Sequence, residues 1–203
     1  MAKEDLANVT AEMALKHPNW TMGAKITIDS ATMLNKAFEL IEARWLFNIE
    51  PSRIRAVVHP QSIVHSMVEF VDGAIKAQLG VPDMRLPIAY ALGHHERLAN
   101  VSAPLTLPNI MQLTFEDPDL DKFPCLGLAK YAMDRAGNSA CVINAANEVA
   151  NLAFRQGRTG FNDIYRIITA TLDKVPFIQA PTYDDYVATN TAARRVAEQL
   201  INS

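Results

Sequence analysis

Three polar residues in the first quarter of the chain have the types and the spacing of a binding site. Asn35, Lys36 and Glu39 lie close together on a segment whose apolar residues repeat with the period of an α-helix. At about 100° per residue, Asn35, Glu39 and Glu42 gather on one side of that helix, with Lys36 at their margin. The helix would therefore present an amide, an ammonium and a carboxylate together.

The position of these groups favours binding of an anion. Ser30, Asn35 and Lys36 fall at or near the predicted helix start, where free backbone N–H groups and the helix dipole attract negative charge. We therefore predict a phosphate site. Glu39, one turn deeper, offers a hard oxygen ligand that suits Mg²⁺ or Mn²⁺.

The same spacing also has an ordinary structural explanation. The pattern Asn-Lys-x-x-Glu usually marks a solvated helix face with an i,i+3 ion pair, which contributes only a few tenths of a kcal/mol. His17 precedes a proline and is typical of a loop, and residues such as Trp20 and Met22 are more often buried than catalytic. Spacing alone favours this explanation.

The elements that would carry these residues form an α+β fold, with a first domain over residues 1–93 that we expect to be the central, substrate-binding domain. Ile26 to Ile28 predicts a short strand, and Thr32 to Phe47 predicts a helix with Ser30 or Thr32 as its N-cap. The predicted apolar stripe of this helix consists of Leu34, Phe38, Ile41 and Trp45.

A partly antiparallel sheet is predicted further along the same domain. Val64 to Val71 and Ala74 to Leu79 flank Asp72-Gly73, a two-residue hairpin signal. Ile54 to Val58 is a β-branched run, and Pro82 to Leu92 predicts another helix.

The remaining chain predicts a connector at 94–119 and an α-helical bundle at 120–203. Prolines interrupt the connector. The bundle has four helical segments, with Gly137 and Gly157 at helix ends, Ser139 and Asn162 at helix starts, and frequent alanine that favours close helix packing.

Composition excludes several classes of protein. The formal charge of −3 gives no basic surface for nucleic acid, and no apolar run is long enough for a membrane span. Cys125 and Cys141 have no metal-site spacing and are expected to be small hydrophobic residues in a reducing compartment. The charged first residues do not form a signal peptide, so we expect a cytoplasmic location.

Several longer motifs occur in a fixed order along nearly the whole chain, and together they resemble one enzyme family. The motifs begin at His17 (HPNWTMGAKI), Asp29 (DSATMLNK), Glu39 (ELIEARWLF), His59 (HPQSIVHSM), Gly80 (GVPDMRLPI) and Asn144 (NAANE). The family that they resemble is 1-deoxy-D-xylulose 5-phosphate reductoisomerase.

The resemblance implies roles for individual residues. His17, Ser30, Asn35 and Lys36 match positions that hold the substrate, chiefly its phosphate, and Glu39 matches a carboxylate that binds the metal and touches the substrate. On this basis Glu39 and His17 are the candidate catalytic residues. Trp20 and Met22 match a flap that closes over substrate and nicotinamide, Gly23 matches a cofactor contact, and His65 matches a histidine whose role we leave open.

The resemblance also implies the reaction and the partners. Family members use NADPH and Mg²⁺ or Mn²⁺ to rearrange and reduce a phosphorylated sugar in isoprenoid precursor synthesis. A homodimer is expected, in the cytoplasm or, in a eukaryote, in the plastid or apicoplast stroma.

One family feature is missing from these residues. The dinucleotide-binding domain with its glycine-rich turn precedes the matched region, and the eight glycines of this chain include no Gly-x-Gly pair. The other metal carboxylates also precede it. We therefore expect a fragment that is inactive alone, and the alternative is a catalytically silent phosphate-binding or dimerisation module.

Overall fold

The helices and strands of a computed structural model account for most of the residues it describes, which are 2–16, 22–94, 96–99, 101–106, 110 and 112–202. The strands are β1 (Val64–Glu69) and β2 (Ile75–Leu79), and short 3₁₀ turns lie at Glu4–Asn8, Pro51–Arg53 and Pro124–Gly127. The α-helices are α1 (Ala11–Ala14), α2 (Ala24–Ala31), α3 (Leu34–Phe47), α4 (Arg85–Leu92), α5 (Leu128–Arg135), α6 (Ser139–Arg155), α7 (Asp163–Lys174) and α8 (Tyr183–Ile201). This combination of helices with a small antiparallel sheet is the predicted α+β class.

The described residues group into two compact units. The first holds residues 2–16, 22–56 and 119–202, and the second holds the described residues between 57 and 118. This grouping differs from the linear division into 1–93, 94–119 and 120–203. The physical reason is that α2 and α3 pack against α5 and α6, far along the chain, and share one apolar core with them.

Helix α6 lies at the centre of the first unit and contacts α2, α5, α7 and α8. Ala145, Ala146, Ala150 and Ala153 on this helix are all 0% exposed. A methyl side chain lets neighbouring helix backbones approach closely, so the alanines predicted to favour helix packing do lie in the core. Large apolar residues fill the space around them, among them Ile28, Leu34, Ile143, Ile164 and Ile168.

Helix α2 corrects one prediction, since Ile26 to Ile28 is helical and not a strand. Thr27 and Ile28 are buried, and the Thr27 hydroxyl donates to the Gly23 carbonyl at 2.9 Å. Burial of Ile28 in the core and the local hydrogen bond of Thr27 stabilise these β-branched residues in a helix. Their intrinsic preference for strands is therefore overridden.

The start of α3 corrects a second prediction. Its N-cap is Met33, with φ 61° in the left-handed region, whereas Ser30 lies inside α2 and Thr32 is the C-cap of α2. The Thr32 hydroxyl donates to the Asp29 carbonyl at 3.1 Å and accepts the Leu34 N–H at 3.4 Å, so it contributes to the end of α2 as well as to the start of α3.

The apolar stripe of α3 is correct over its first turns only. Leu34 and Ile41 are buried and Phe38 packs against the core, but Trp45 is 66% exposed and Ala37 is buried. The last turn of the helix contains no buried residue. The Arg44 guanidinium covers the Trp45 ring there, 5.6 Å from its centroid.

The second unit contains the predicted hairpin. Strands β1 and β2 pair antiparallel, with Glu69 opposite Ile75, so the connecting turn is longer than the two residues predicted. Gly73 takes φ 83°, and the Asp72 carboxylate accepts the Ala74 N–H at 2.9 Å. Among the described residues, the Ile54 to Val58 run contributes only one bridge, Val58 with Glu116.

The predicted connector is part of the second unit, and side chains hold it to the preceding residues of that unit. The His59 Nδ1 lies 2.8 Å from the Thr114 carbonyl oxygen, and the Gln61 amide donates to the Thr114 hydroxyl at 2.9 Å. The His59 ring stacks on Phe115 with centroids 4.6 Å apart. Apart from the bridge at Glu116, the described residues between 96 and 118 contain no helix or strand.

The C-terminal helices lie close to the predicted segments. Asn138, one residue before the predicted Ser139, is the N-cap of α6, while Asn162 caps α7 as predicted. Cys125 and Cys141 are free, and burial raises the pKa of the Cys125 thiol to about 12. Within the described part of the chain, no helix combines the length and the apolar composition that crossing a membrane requires.

Gly137 and Gly157 allow a matched test of the bundle. Both have positive φ, but a Cβ at Gly137 would lie 2.3 Å from the Ile178 carbonyl oxygen, whereas a Cβ at Gly157 meets nothing within 4 Å. Gly157→Ala should lower the free energy of unfolding by about 1 kcal/mol, because alanine disfavours the left-handed backbone conformation. Gly137→Ala should cost about 3 kcal/mol, since backbone must also move.

Urea denaturation followed by circular dichroism measures both changes. Equal losses for the two variants would contradict the close approach of residues 137 and 178.

Candidate functional site

The first turns of α3 bring the three predicted polar residues into contact. The Asn35 amide donates to Glu39 Oε1 at 2.7 Å, and the Lys36 ammonium donates to Glu39 Oε2. The two carboxylate oxygens thus have different partners, an amide and a cation. This arrangement fixes the orientation of the Glu39 carboxylate.

The Lys36–Glu39 pair is open to solvent, with 41% and 45% of the two side chains exposed. A surface ion pair contributes about 0–1 kcal/mol, so an incoming anion can replace the carboxylate as the partner of Lys36 at little cost. In this structure the pair is the i,i+3 contact of a solvated helix face. The same geometry permits exchange with a ligand.

Ser30 lies across a short junction from this cluster. It occupies the last turn of α2, and its carbonyl accepts the Met33 N–H at 3.1 Å. The left-handed Met33 then begins α3, an uncommon conformation for a residue with a side chain. The Leu34 N–H donates to the Thr32 hydroxyl at 3.4 Å, and the Asn35 and Lys36 N–H groups have no acceptor within their own helix, as at every helix start.

An open depression of about 390 Å³ lies beside the cluster. Its lining comes from α2, α3 and α6 and includes Lys25, Asp29, Asn35, Phe38, Glu42 and Asn144. Asn35 is the residue that belongs both to this depression and to the polar cluster. The depression has room for a small polar ligand next to α3.

A buried carboxylate borders the depression and was missed by the sequence analysis. Asp29 is 2% exposed, and its Oδ2 lies 2.7 Å from the Lys25 ammonium. Its Oδ1 accepts from the amides of Asn147 at 2.9 Å and Asn151 at 2.8 Å, both on α6. This carboxylate therefore joins α2 to α6.

A signal for this network is present in the sequence. Asn147 and Asn151 are one turn apart, and both fall on the stripe of α6 that also contains Ile143, Ala150 and Phe154. Polar residues on a buried stripe need polar partners. The amphipathic pattern could therefore have predicted a buried polar partner, although not which residue supplies it.

The remaining predicted site residues lie away from the polar cluster of α3 in the sequence. Gly23 is the N-cap of α2, with an ordinary φ of −62°, and Met22 is partly buried before it. His17 and Trp20 lie outside the described residues. His65 lies on β1, with its Nε2 2.9 Å from the Ser62 carbonyl oxygen.

Two further motifs have structural explanations. In the Asn144–Glu148 motif, the two alanines are buried and Glu148 pairs with Arg194 of α8. In the motif beginning at Gly80, the Asp83 carboxylate accepts hydrogen bonds from the backbone N–H and from the guanidinium of Arg85. The Arg85 guanidinium beside Asp83 holds the pKa of that carboxyl below its ordinary value.

The described residues offer few ligands for a metal ion. Among the described residues, no group of three or more His, Cys, Asp or Glu side chains converges on one point. Glu39 is an accessible hard oxygen donor and fits Mg²⁺ as a single ligand. These residues alone do not form a complete metal site.

Comparison with known proteins identifies the family. A model described as the DXP reductoisomerase C-terminal domain matches residues 79–196, more than half of the chain. A second, the 1-deoxy-D-xylulose 5-phosphate reductoisomerase C-terminal domain, matches residues 1–47. The chain belongs to the 1-deoxy-D-xylulose 5-phosphate reductoisomerase family.

Individual reductoisomerases match nearly all of this chain. The enzyme of Bacteroides fragilis is 56% identical over 98% of this chain and 51% of its own length, and that of Cellvibrio japonicus is 50% identical over 97% and 50%. The chain spans about half the length of these curated relatives.

Solved reductoisomerase structures have the same fold over this region. The Zymomonas mobilis enzyme in complex with NADPH has a TM-score of 0.91 and 42% identity, covering 100% of this chain and 52% of that one. A reductoisomerase in complex with NADPH, fosmidomycin and magnesium has a TM-score of 0.92 and 39% identity, with the same coverage.

Proposed function

We propose that this chain is the substrate-binding and C-terminal part of an NADPH- and divalent-metal-dependent reductoisomerase. The whole protein would convert 1-deoxy-D-xylulose 5-phosphate to 2-C-methyl-D-erythritol 4-phosphate in the non-mevalonate isoprenoid pathway. Family membership supports the reaction. The observation that carries the site is the contact of Asn35, Lys36 and Glu39 at the start of α3.

Substrate phosphate would be held at the junction of α2 and α3. The Ser30 hydroxyl, the Asn35 amide and the Lys36 ammonium supply hydrogen bonds there, and the helix dipole adds to the attraction. Lys36 is a compact cation whose carboxylate partner is solvent-exposed, so it can turn to an incoming phosphate. His17 and Trp20 are assigned to the same substrate by resemblance.

Glu39 would supply one carboxylate to the divalent ion, Mg²⁺ or Mn²⁺. Such an ion, when bound, polarises the carbonyl and hydroxyl oxygens of the substrate. Asn35 and Lys36 orient the Glu39 carboxylate before any ligand enters. The other ligands would come from the part of the family sequence that this chain does not span.

Gly23 and Met22 would contact NADPH, which supplies hydride to the reaction. A Cβ at Gly23 would meet no described atom within 4 Å, so packing among the described residues does not explain the glycine. Open space at a helix start suits close approach of a ligand to the backbone. Most cofactor contacts would lie elsewhere in the whole protein.

The alternative is a catalytically silent module that binds phosphate or dimerises. The exposed ion pair of Lys36 and Glu39 is compatible with it, since such pairs are common on surfaces. The two proposals differ in whether a protein of full family length that contains this chain turns over the substrate.

Substitutions on α3 separate phosphate binding from metal binding. In a protein of full family length that contains this chain, Lys36→Ala should raise KM ten- to hundredfold, because a hydrogen bond to a charged group is worth about 1.5–3 kcal/mol. Glu39→Gln preserves size but removes the charge, so it should lower kcat steeply and weaken the dependence on metal. Steady-state kinetics at varied Mg²⁺ and Mn²⁺ measures both.

A matched control lies on α5, where Lys130 pairs with Asp134 in another exposed ion pair. Lys130→Ala should leave KM and kcat unchanged. Near-normal turnover and metal dependence of Glu39→Gln would mean that Asn35, Lys36 and Glu39 form only a solvated helix face, whereas a full-length protein without turnover would favour the silent module.

We also propose a homodimer in the cytoplasm, or in the plastid or apicoplast stroma of a eukaryote. The β1–β2 hairpin presents exposed apolar side chains, with Val68 at 58% and Ile75 at 60% exposure. Its two strands leave unpaired edges among the described residues, and such edges invite pairing with another chain.

Light scattering of this chain at micromolar concentration should therefore give twice the mass of one chain. Introducing charge with Val68→Asp and Ile75→Asp should reduce the mass to one chain. Leu152→Asp, at a similarly exposed apolar position on α6, is the control and should leave the dimer intact. A wild-type mass equal to one chain contradicts the proposal.

A further inference from the structure

The buried carboxylate of Asp29 has all its hydrogen bonds supplied by a network between α2 and α6, two helices that are far apart in the sequence. Lys25 supplies one charged donor, and Asn147 and Asn151 supply two amide donors, all at 2.7–2.9 Å. A buried charge is costly unless it is paired and hydrogen-bonded, so these contacts strongly constrain where α2 lies on α6.

The amide of Asn151 is fixed in orientation from both ends. Its Oδ1 accepts from the Arg155 guanidinium at 2.9 Å, while its Nδ2 also donates to the Lys25 backbone carbonyl at 2.9 Å. A rotation of this amide would break each of these bonds at once. Asn151 is therefore hydrogen-bonded to both the side chain of Asp29 and the backbone of α2.

The network lies directly beside the proposed phosphate site. Ser30 follows Asp29 in α2, and the Ser30 carbonyl holds the Met33 N–H at the start of α3. Asp29 and Asn35 line the same depression. A movement of Asp29 would therefore displace Ser30 and, through Met33, the first turn that bears Asn35.

We propose that Asp29, Asn147 and Asn151 are positioning residues for substrate binding, acting through Ser30 and Asn35. This inference rests on the proposed function, because it assigns the network a role at that phosphate site. Loosening the network should weaken binding of the phosphorylated substrate, while the reacting groups keep their chemistry. None of the three residues needs to touch the substrate.

The principal test is Asp29→Asn in the protein of full family length. The substitution keeps the size but removes the charge, and its amide nitrogen cannot accept the bonds that a carboxylate oxygen accepts. KM should rise about tenfold to a hundredfold, the effect of losing one hydrogen bond to a charged group, with kcat changed by less than about threefold. The inhibition constant of fosmidomycin should rise in parallel.

The matched control is Asn138→Ala. Asn138 is equally buried, and its amide donates to Thr189 on α8 and to the Pro176 carbonyl, away from α2. Asn138→Ala should lower the melting temperature by an amount comparable with Asp29→Asn, yet leave KM unchanged. A merely structural role for Asp29 would make the two variants alike in KM.

Milder variants keep the proposal testable if Asp29→Asn does not fold. Asn147→Ala and Asn151→Ala each leave the carboxylate paired with Lys25 and one amide, and each should raise KM severalfold. Because both act through the same carboxylate, the effect of Asn151→Ala should shrink when Asn147→Ala is already present. An unchanged KM in folded variants at these positions would overturn the inference.

Failure of the proposed function would look different. In that case the unsubstituted protein itself would neither turn over the substrate nor bind fosmidomycin. Normal wild-type kinetics with unaffected variants would reject the positioning role alone.

Discussion

The burial of one charge, the Asp29 carboxylate, constrains the arrangement of the first unit. A carboxylate that is 2% exposed must be paired, and its partners come from its own helix and from α6, more than a hundred residues along the chain. Hydrogen bonds, in addition to apolar contacts, therefore fix the position of α2 on α6. The position of the polar cluster on α3 follows, because α2 leads into α3 through the single left-handed residue Met33.

Helix α6 contributes both to the apolar core and to the Asp29 network beside the proposed site. Its buried alanines allow close contact with neighbouring helices, and its two buried asparagines reach Asp29 from the same packed face. The apolar core and the polar network are thus built on one surface, so a change in helix packing alters the geometry near Ser30. By this coupling, C-terminal residues would influence the proposed site near the start of the chain.

Local patterns predicted what local interactions determine. The cluster of Asn35, Lys36 and Glu39, the hairpin around Gly73 and the four C-terminal helices all depend on neighbours within a few residues. Helix α2 was mispredicted, because the β-branched residues Thr27 and Ile28 are accommodated by contacts with distant elements. Trp45 is exposed because the last turn of α3 has no buried residue, and the Asp29 network depends on an asparagine pair far away in sequence. A helical wheel does not predict such contacts between residues that are far apart in the sequence.

The central claim is that the polar cluster of α3 is a ligand site and not only a solvated helix face. The most direct measurement is a crystal structure of a protein of full family length that contains this chain, with fosmidomycin and Mg²⁺ bound. We predict that the phosphonate contacts Ser30, Asn35 and Lys36, that Mg²⁺ binds the Glu39 carboxylate, and that the Lys36–Glu39 ion pair is broken. An intact Lys36–Glu39 pair, with the ligand and the metal bound elsewhere, would contradict the account.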